Sequence, residues 1–154
     1  MDTITRRSVL DLLAGDWANY VPCFQALSPA AQSAFLQQQG YQRLADLLAH
    51  IVAWWEVGMQ AIPRYQSDPA AQLAEIDVDS FNARAVQQVQ TVSDGEETRV
   101  FEETRRRFID AVKQMSDADF KDERILTQIK WELVNHLEDH RIQPDSLMEK
   151  LKTA

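Results

Sequence analysis

The chain has 154 residues, 45% of them hydrophobic, with only four glycines, a single cysteine and a formal net charge of −8. One domain spanning residues 1–154, with enough apolar surface for a core, follows from that length and composition, and a disordered chain is excluded. The negative charge argues against nucleic acid or an anionic membrane surface as partner, and one cysteine excludes an internal disulfide.

In chain order, Leu10, Leu13, Trp17, Tyr20 and Phe24 recur at helical spacing and predict a first helix over about Thr5–Leu27. Pro22 should kink it or shift its end, because proline lacks an N–H and collides with the preceding turn. Two arginines precede this stretch, but Asp11 and Asp16 interrupt it, which is unlike a secretory signal. Ser28-Pro29 reads as an N-cap followed by proline at the first helical position, and Gly40 as the stop of that shorter helix.

The second main helix is predicted over about Gln42–Ile62, its apolar face running from Leu44 through Ile51 and Trp55 to Ile62, with Pro63 and Ser67-Asp68-Pro69 ending it. A long connection follows, with a modest helix from about Phe81 to Val92 capped by Asp79 or Ser80. Asp77 and Asp79 resemble the start of a calcium loop, but the glycine and the final glutamate are missing, and capping is the better reading. Ser93-Asp94-Gly95 is a break. The third main helix is predicted over about Glu96–Met115, with Val100, Phe101, Phe108, Ile109 and Val112 inward. Ser116 to Asp119 matches a capping box loosely. The fourth main helix is predicted over about Asp122–Ile142, stopping near Pro144, with a short tail helix over Ser146–Leu151. These segments predict an all-α four-helix bundle. No apolar run is long enough to span a bilayer, and a cytoplasmic location is the expectation.

Three histidines occur, His50, His136 and His140. On a helical wheel His136 and His140 fall about 20° to either side of Ile129, inside the apolar arc. Polar rings buried there need a partner for each nitrogen. Two readings satisfy that need: ordinary core histidines bonded to carboxylates or backbone, or metal ligands. Glu132 and Asp139 flank the stripe and are candidate acceptors for the outer ring N–H groups, as is Asp46 for His50. His136 and His140 do not form a zincin motif, because Glu138 stands in the wrong position and points away from the core.

His50 lies early in its helix, and the other two lie late in theirs. Parallel packing of helices two and four would leave an offset of roughly 10–15 Å, whereas antiparallel packing removes it. Antiparallel packing needs a long crossover between helices two and three, and about 30 residues separate Pro63 from Gly95. Three imidazoles on one ion leave a coordination position open for chemistry. Elsewhere, Cys23 reads as a small core residue beside Phe24. Arg105-Arg106-Arg107 with Arg99 reads as a solvated face paired to Glu102 and Glu103. Trp54 and Trp55 read as core, with Trp54 close enough to His50 to line a pocket, and Trp131 points outward as a lone exposed aromatic or a dimer contact.

ADLLAHIVAWWEVG around His50, WELVNHLEDHRIQ around His136 and His140, and DVDSFNARAV between them resemble the DinB-like superfamily. That group includes YfiT-type metal-dependent hydrolases and bacterial low-molecular-weight-thiol S-transferases. The resemblance spans nearly the whole chain. It implies an up-down-down-up bundle, a three-histidine site for nickel, zinc or a similar ion on His50, His136 and His140, and a homodimer. It also implies a small-molecule substrate and a metal-dependent thiol S-transferase or related detoxification enzyme, with a low-molecular-weight thiol as co-substrate. Hydrolysis by a metal-activated water and a non-enzymatic ligand- or partner-binding bundle are the alternatives.

Overall fold

The computed structural model describes residues 3–142; the expected tail helix over Ser146–Leu151 lies outside the described residues. The described chain is all helical, with no strand. Its helices are α1 (Arg6–Ala14), α2 (Tyr20–Gln25), α3 (Pro29–Gln39), α4 (Leu44–Ser67), α5 (Val78–Gln87), α6 (Asp94–Gln114), α7 (Glu123–Ile129) and α8 (His136–Asp139). A π-helical segment, Lys130–Asn135, joins α7 to α8. No helix among the described residues is long and apolar enough to cross a membrane.

Local chemistry accounts for most of the boundaries. Thr5 and Ser8 form a reciprocal capping box at the start of α1, and Ser93 and Glu96 form one at the start of α6. Ser28 caps α3 with Pro29 at its first position, and Gly40 ends it in the left-handed region at φ 84°. Arg43 gives α4 no side-chain cap; Asp94 Oδ1 instead accepts from the Ala45 N–H at 2.8 Å. Ser116 and Asp119 exchange side-chain-to-backbone hydrogen bonds, the pattern expected of that segment, ahead of a short 3₁₀ turn at Asp119–Lys121.

Four boundaries differ from the expectation. The first helix is broken, because the chain turns at Gly15, where a Cβ would meet the Asp11 carbonyl oxygen at 2.8 Å. Pro22 then sits in the first turn of α2, where its missing N–H costs no hydrogen bond. Pro63 does not end α4, which continues to Ser67. The extra turn is held by Tyr65, which is buried and donates to Gln128 Oε1 at 3.3 Å, and by Arg124, which donates to the Tyr65 carbonyl at 2.9 Å. Those contacts offset the roughly 3 kcal/mol that an interior proline costs. Asp77, rather than Asp79 or Ser80, caps α5, which starts earlier than expected. The fourth main helix is interrupted by the π segment and ends at Asp139.

One apolar cluster draws on most helices, from Val9 and Leu13 on α1 to Leu133 and Leu137 near the C-terminal end. At its centre the buried rings of Trp17 and Trp55 meet edge to face at 4.9 Å, and Trp55 stacks on Phe101 at 5.1 Å. Phe101, Phe108 and Val112 face inward as expected, but Val100 is exposed and Thr104 takes an inner position. Cys23 is exposed, not a core residue, because Tyr20, Val21 and Phe24 supply the buried face of α2.

Cross-contacts fix how the long helices align. Arg6 donates to the Val112 carbonyl and Arg105 to the Leu13 carbonyl, so numbering rises on α1 as it falls on α6. Ala45 meets Asp94, Trp55 meets Phe101 and Glu56 pairs with Arg107, so α4 and α6 rise together. Trp55 reaches the Glu132 carbonyl and Tyr65 reaches Gln128, so the final helix runs against α4.

Candidate metal centre

The opposed sense of α4 and the final helix brings the early turns of one level with the late turns of the other. His50 from α4 thereby meets His136 and His140, and one ring nitrogen from each lies within 4.8 Å of the others. His50 is only 6% exposed, more buried than a residue at the edge of an apolar face would be. The imidazoles line a cavity of about 620 Å³ walled by α4, the final helix and the connection carrying α5.

Two of the rings are held by neutral amides. His50 Nδ1 lies 3.0 Å from Asn82 Oδ1, and Trp54 Nε1 donates to that same oxygen at 2.7 Å. An indole N–H only donates, so the atom it meets is the amide oxygen and His50 Nδ1 carries the proton. His140 Nδ1 lies 2.6 Å from Gln39 Oε1, and with that oxygen accepting, Nδ1 carries the proton. The expected carboxylate acceptors are not used. Asp46 is drawn to Arg43 at 2.9 Å, next to it at the start of α4. Asp139 lines the cavity and acts on His50 only through its charge, opposing the ring's loss of basicity. Glu132 lies back against α4.

With Nδ1 protonated on both rings, His50 Nε2 and His140 Nε2 face each other as lone pairs at 3.1 Å. Two acceptors at that distance repel unless a proton or a cation lies between them. A proton is disfavoured: burial, with repulsion from His140, pushes the His50 imidazole down to about 4. Burial also lowers His140 to about 4, and burial plus repulsion from the other two rings lowers His136 to about 3. A divalent ion resolves the repulsion. Two nitrogens each about 2.0–2.1 Å from one ion stand about 2.9–3.4 Å apart. The donor set, three neutral imidazoles of which two have neutral amides as outer partners, fits zinc, nickel or a similar ion.

His136 differs from the other two. Its Nδ1 is buried with no hydrogen-bond partner, as is Glu132 Oε2 one turn earlier; these are the two such side-chain atoms found among the described residues. Glu132 is 2% exposed, and burial pushes its carboxyl up to about 8, against opposing contacts from Gln128 and the Gly58 backbone. Gly58 makes room for it, because a Cβ there would come within 2.8 Å of Glu132 Cγ.

The π segment sets the register of this end of the helix. A π turn leaves carbonyls offset from the usual i→i−4 ladder, and such turns recur at functional sites. Here two indoles from distant parts of the chain meet them: Trp55 Nε1 of α4 donates to the Glu132 carbonyl and Trp17 Nε1, in the turn between α1 and α2, to the Leu133 carbonyl, both at 2.9 Å. His136 begins α8 immediately after this segment. Tyr20 adds a hydrogen bond from its hydroxyl to the His140 carbonyl at 2.6 Å.

The sequence pointed to the three histidines but missed Asn82, Gln39 and both indole clamps. Asn82 lies in the DVDSFNARAV segment, where its place one turn after the Asp77 cap was the available signal. Gly58, in the middle of a 24-residue helix, was the signal for the close approach of Glu132. No family model matches the chain, and comparisons with curated proteins and with solved structures give no match.

Proposed function

We propose that the chain is a DinB-like metalloprotein, a metal-dependent thiol S-transferase or related detoxification enzyme, built as an up-down-down-up four-helix bundle. The opposed pairing of α1 with α6, the parallel pairing of α4 with α6 and the opposed pairing of α4 with the final helix support that topology. The single observation that carries the reading is the facing pair of Nε2 atoms at 3.1 Å, with an amide oxygen behind each ring to take the Nδ1 proton.

Bound there, a divalent ion supplies a positive centre with an open position, which stabilises an anionic donor such as a thiolate, the nucleophilic form of a thiol. The residues of this chain do the rest. Asn82 and Gln39 hold two rings in the correct tautomer without adding negative charge, so the centre keeps its attraction for an anion. Trp54 and Tyr41 line the cavity beside the histidines. Burial pushes the Tyr41 phenol up to about 12, so it remains a neutral hydrogen-bonding group.

The test is turnover of metal-loaded protein with a panel of thiols and alkylating electrophiles, set against the metal-free protein. Metal-dependent consumption of thiol, lost in His50→Ala, is the expected result. No metal-dependent consumption across the panel contradicts the transferase reading, and thiol-independent cleavage of esters or amides would replace it with hydrolysis.

A further inference from the structure

The cavity that holds the histidines is not polar throughout. From His50, the wall contributed by α4 continues through Trp54, Val57 and Ala61, spaced four, three and four residues apart. That spacing is a single stripe along one helix face, about 16 Å long at 1.5 Å per residue. Trp54 is a fixed part of it: its N–H is bound to Asn82, and its ring packs on Phe81 with centroids 4.4 Å apart. Ile76, Val78 and Trp131 add to the apolar lining.

The exposure of these last residues is unusual. Three large hydrophobic residues are exposed among the described residues: Val78 at 52%, Trp131 at 44% and Val100 at 36%. Two of the three border this one cavity, Val78 from α5 and Trp131 from the π segment. Scattered exposed apolar side chains are ordinary, but a concentration at the mouth of a concave site marks a ligand surface. The volume, about 620 Å³, suits a small molecule and falls within the range of roughly 300–1,000 Å³ for such sites.

We propose that this cavity takes a small molecule with one anionic or soft donor group and an uncharged apolar body, the donor at the three imidazoles and the body along Trp54, Val57 and Ala61 beneath Trp131 and Val78. The proposal rests on the metal-centre reading and names the substrate class for it. Asp139 and Arg64 are the oppositely charged side chains of this lining, Arg64 one turn beyond Ala61 on α4 with its guanidinium bonded to the Gln72 carbonyl, so the wall between them is apolar and selects an uncharged body.

The experiment is calorimetric titration of zinc-loaded protein with a series of hydroxamates, acetyl through octanoyl, which share one metal-binding head and differ only in tail. Each added methylene should tighten Kd by about two- to fourfold until the stripe is covered. Trp131→Ala and Val57→Ser should each cut octanohydroxamate affinity about tenfold while acetohydroxamate changes less than about twofold; Val100→Ser should change neither. A flat series, with acetohydroxamate bound, overturns this proposal and leaves the metal centre standing. Failure of the wild-type protein to bind zinc or acetohydroxamate overturns the metal centre itself. A tail effect that survives both cavity variants, or falls equally in Val100→Ser, assigns the gain to the general surface and also overturns the proposal.

Discussion

The two sides of the final helix make opposite use of burial. On one side Ile125, Ile129, Leu133 and Leu137 enter a dry core in which both buried indole N–H groups find carbonyls. On the other side, Glu132, His136 and His140 face the cavity, three imidazoles are kept uncharged and two polar atoms have no partner. Four turns of one helix thus carry a satisfied face and an unsatisfied one. Stability is built on the first, while the second retains the unfilled bonding capacity that a ligand can use.

The largest expected effect separates the faces by pH. His50, His136 and His140 titrate at about 4, 3 and 4 when folded, against 6.5 ordinarily. Their folded values are depressed, so the unfolded chain binds more protons between these limits, and stability falls as pH drops from about 6.5 toward 4. Relative to a His50→Ala, His136→Ala, His140→Ala variant, the metal-free protein should lose about 3–6 kcal/mol more between pH 7 and 4.5, allowing for partial exposure of two rings. Parallel pH profiles of the two proteins in urea unfolding would break the contrast.

Next come substitutions on adjacent turns. Leu133→Ala should cost about 2–5 kcal/mol through lost contact and a cavity. His136→Ala in the metal-free protein should cost little or stabilise, because it removes an unpartnered buried nitrogen. Equal losses in thermal or urea unfolding would show that the two faces are not energetically distinct.

Trp55→Phe keeps an aromatic ring in the core but leaves the Glu132 carbonyl without its indole donor. The expected cost is about 1–3 kcal/mol, with weaker metal binding because the π turn ahead of His136 loses a restraint. A change in stability with metal affinity untouched would detach the clamp from the site. The smallest effect on folding belongs to Asn82→Ala, which should leave stability nearly unchanged while reducing metal affinity about 10- to 100-fold, since Asn82 orients His50 rather than binding the ion. Unchanged affinity would remove Asn82 from the site.

Helical class, the cap at Ser28 and the stop at Gly40 were legible because each rests on local chemistry, whereas Ser93 was read only as part of a break and is the cap of α6. The three histidines were legible as a group because the length of the crossover and their offsets on the two helices agree. What stayed hidden depends on tertiary contact. The continuation of α4 through Pro63 needs Tyr65 and Arg124, 59 residues apart. The π segment needs Trp17 and Trp55, neither of which is local to it. The amide partners Asn82 and Gln39 come from α5 and α3, and no spacing rule in the sequence relates them to His50 or His140.

The most direct measurement is metal content and affinity by elemental analysis and competitive titration at pH 7.5, on protein prepared without a histidine tag. The expected result is one zinc or nickel ion per chain in the wild-type protein and none in the triple His50→Ala, His136→Ala, His140→Ala variant. A wild-type chain that takes up no ion, or a triple variant that binds as tightly, would contradict a shared cation at the three rings.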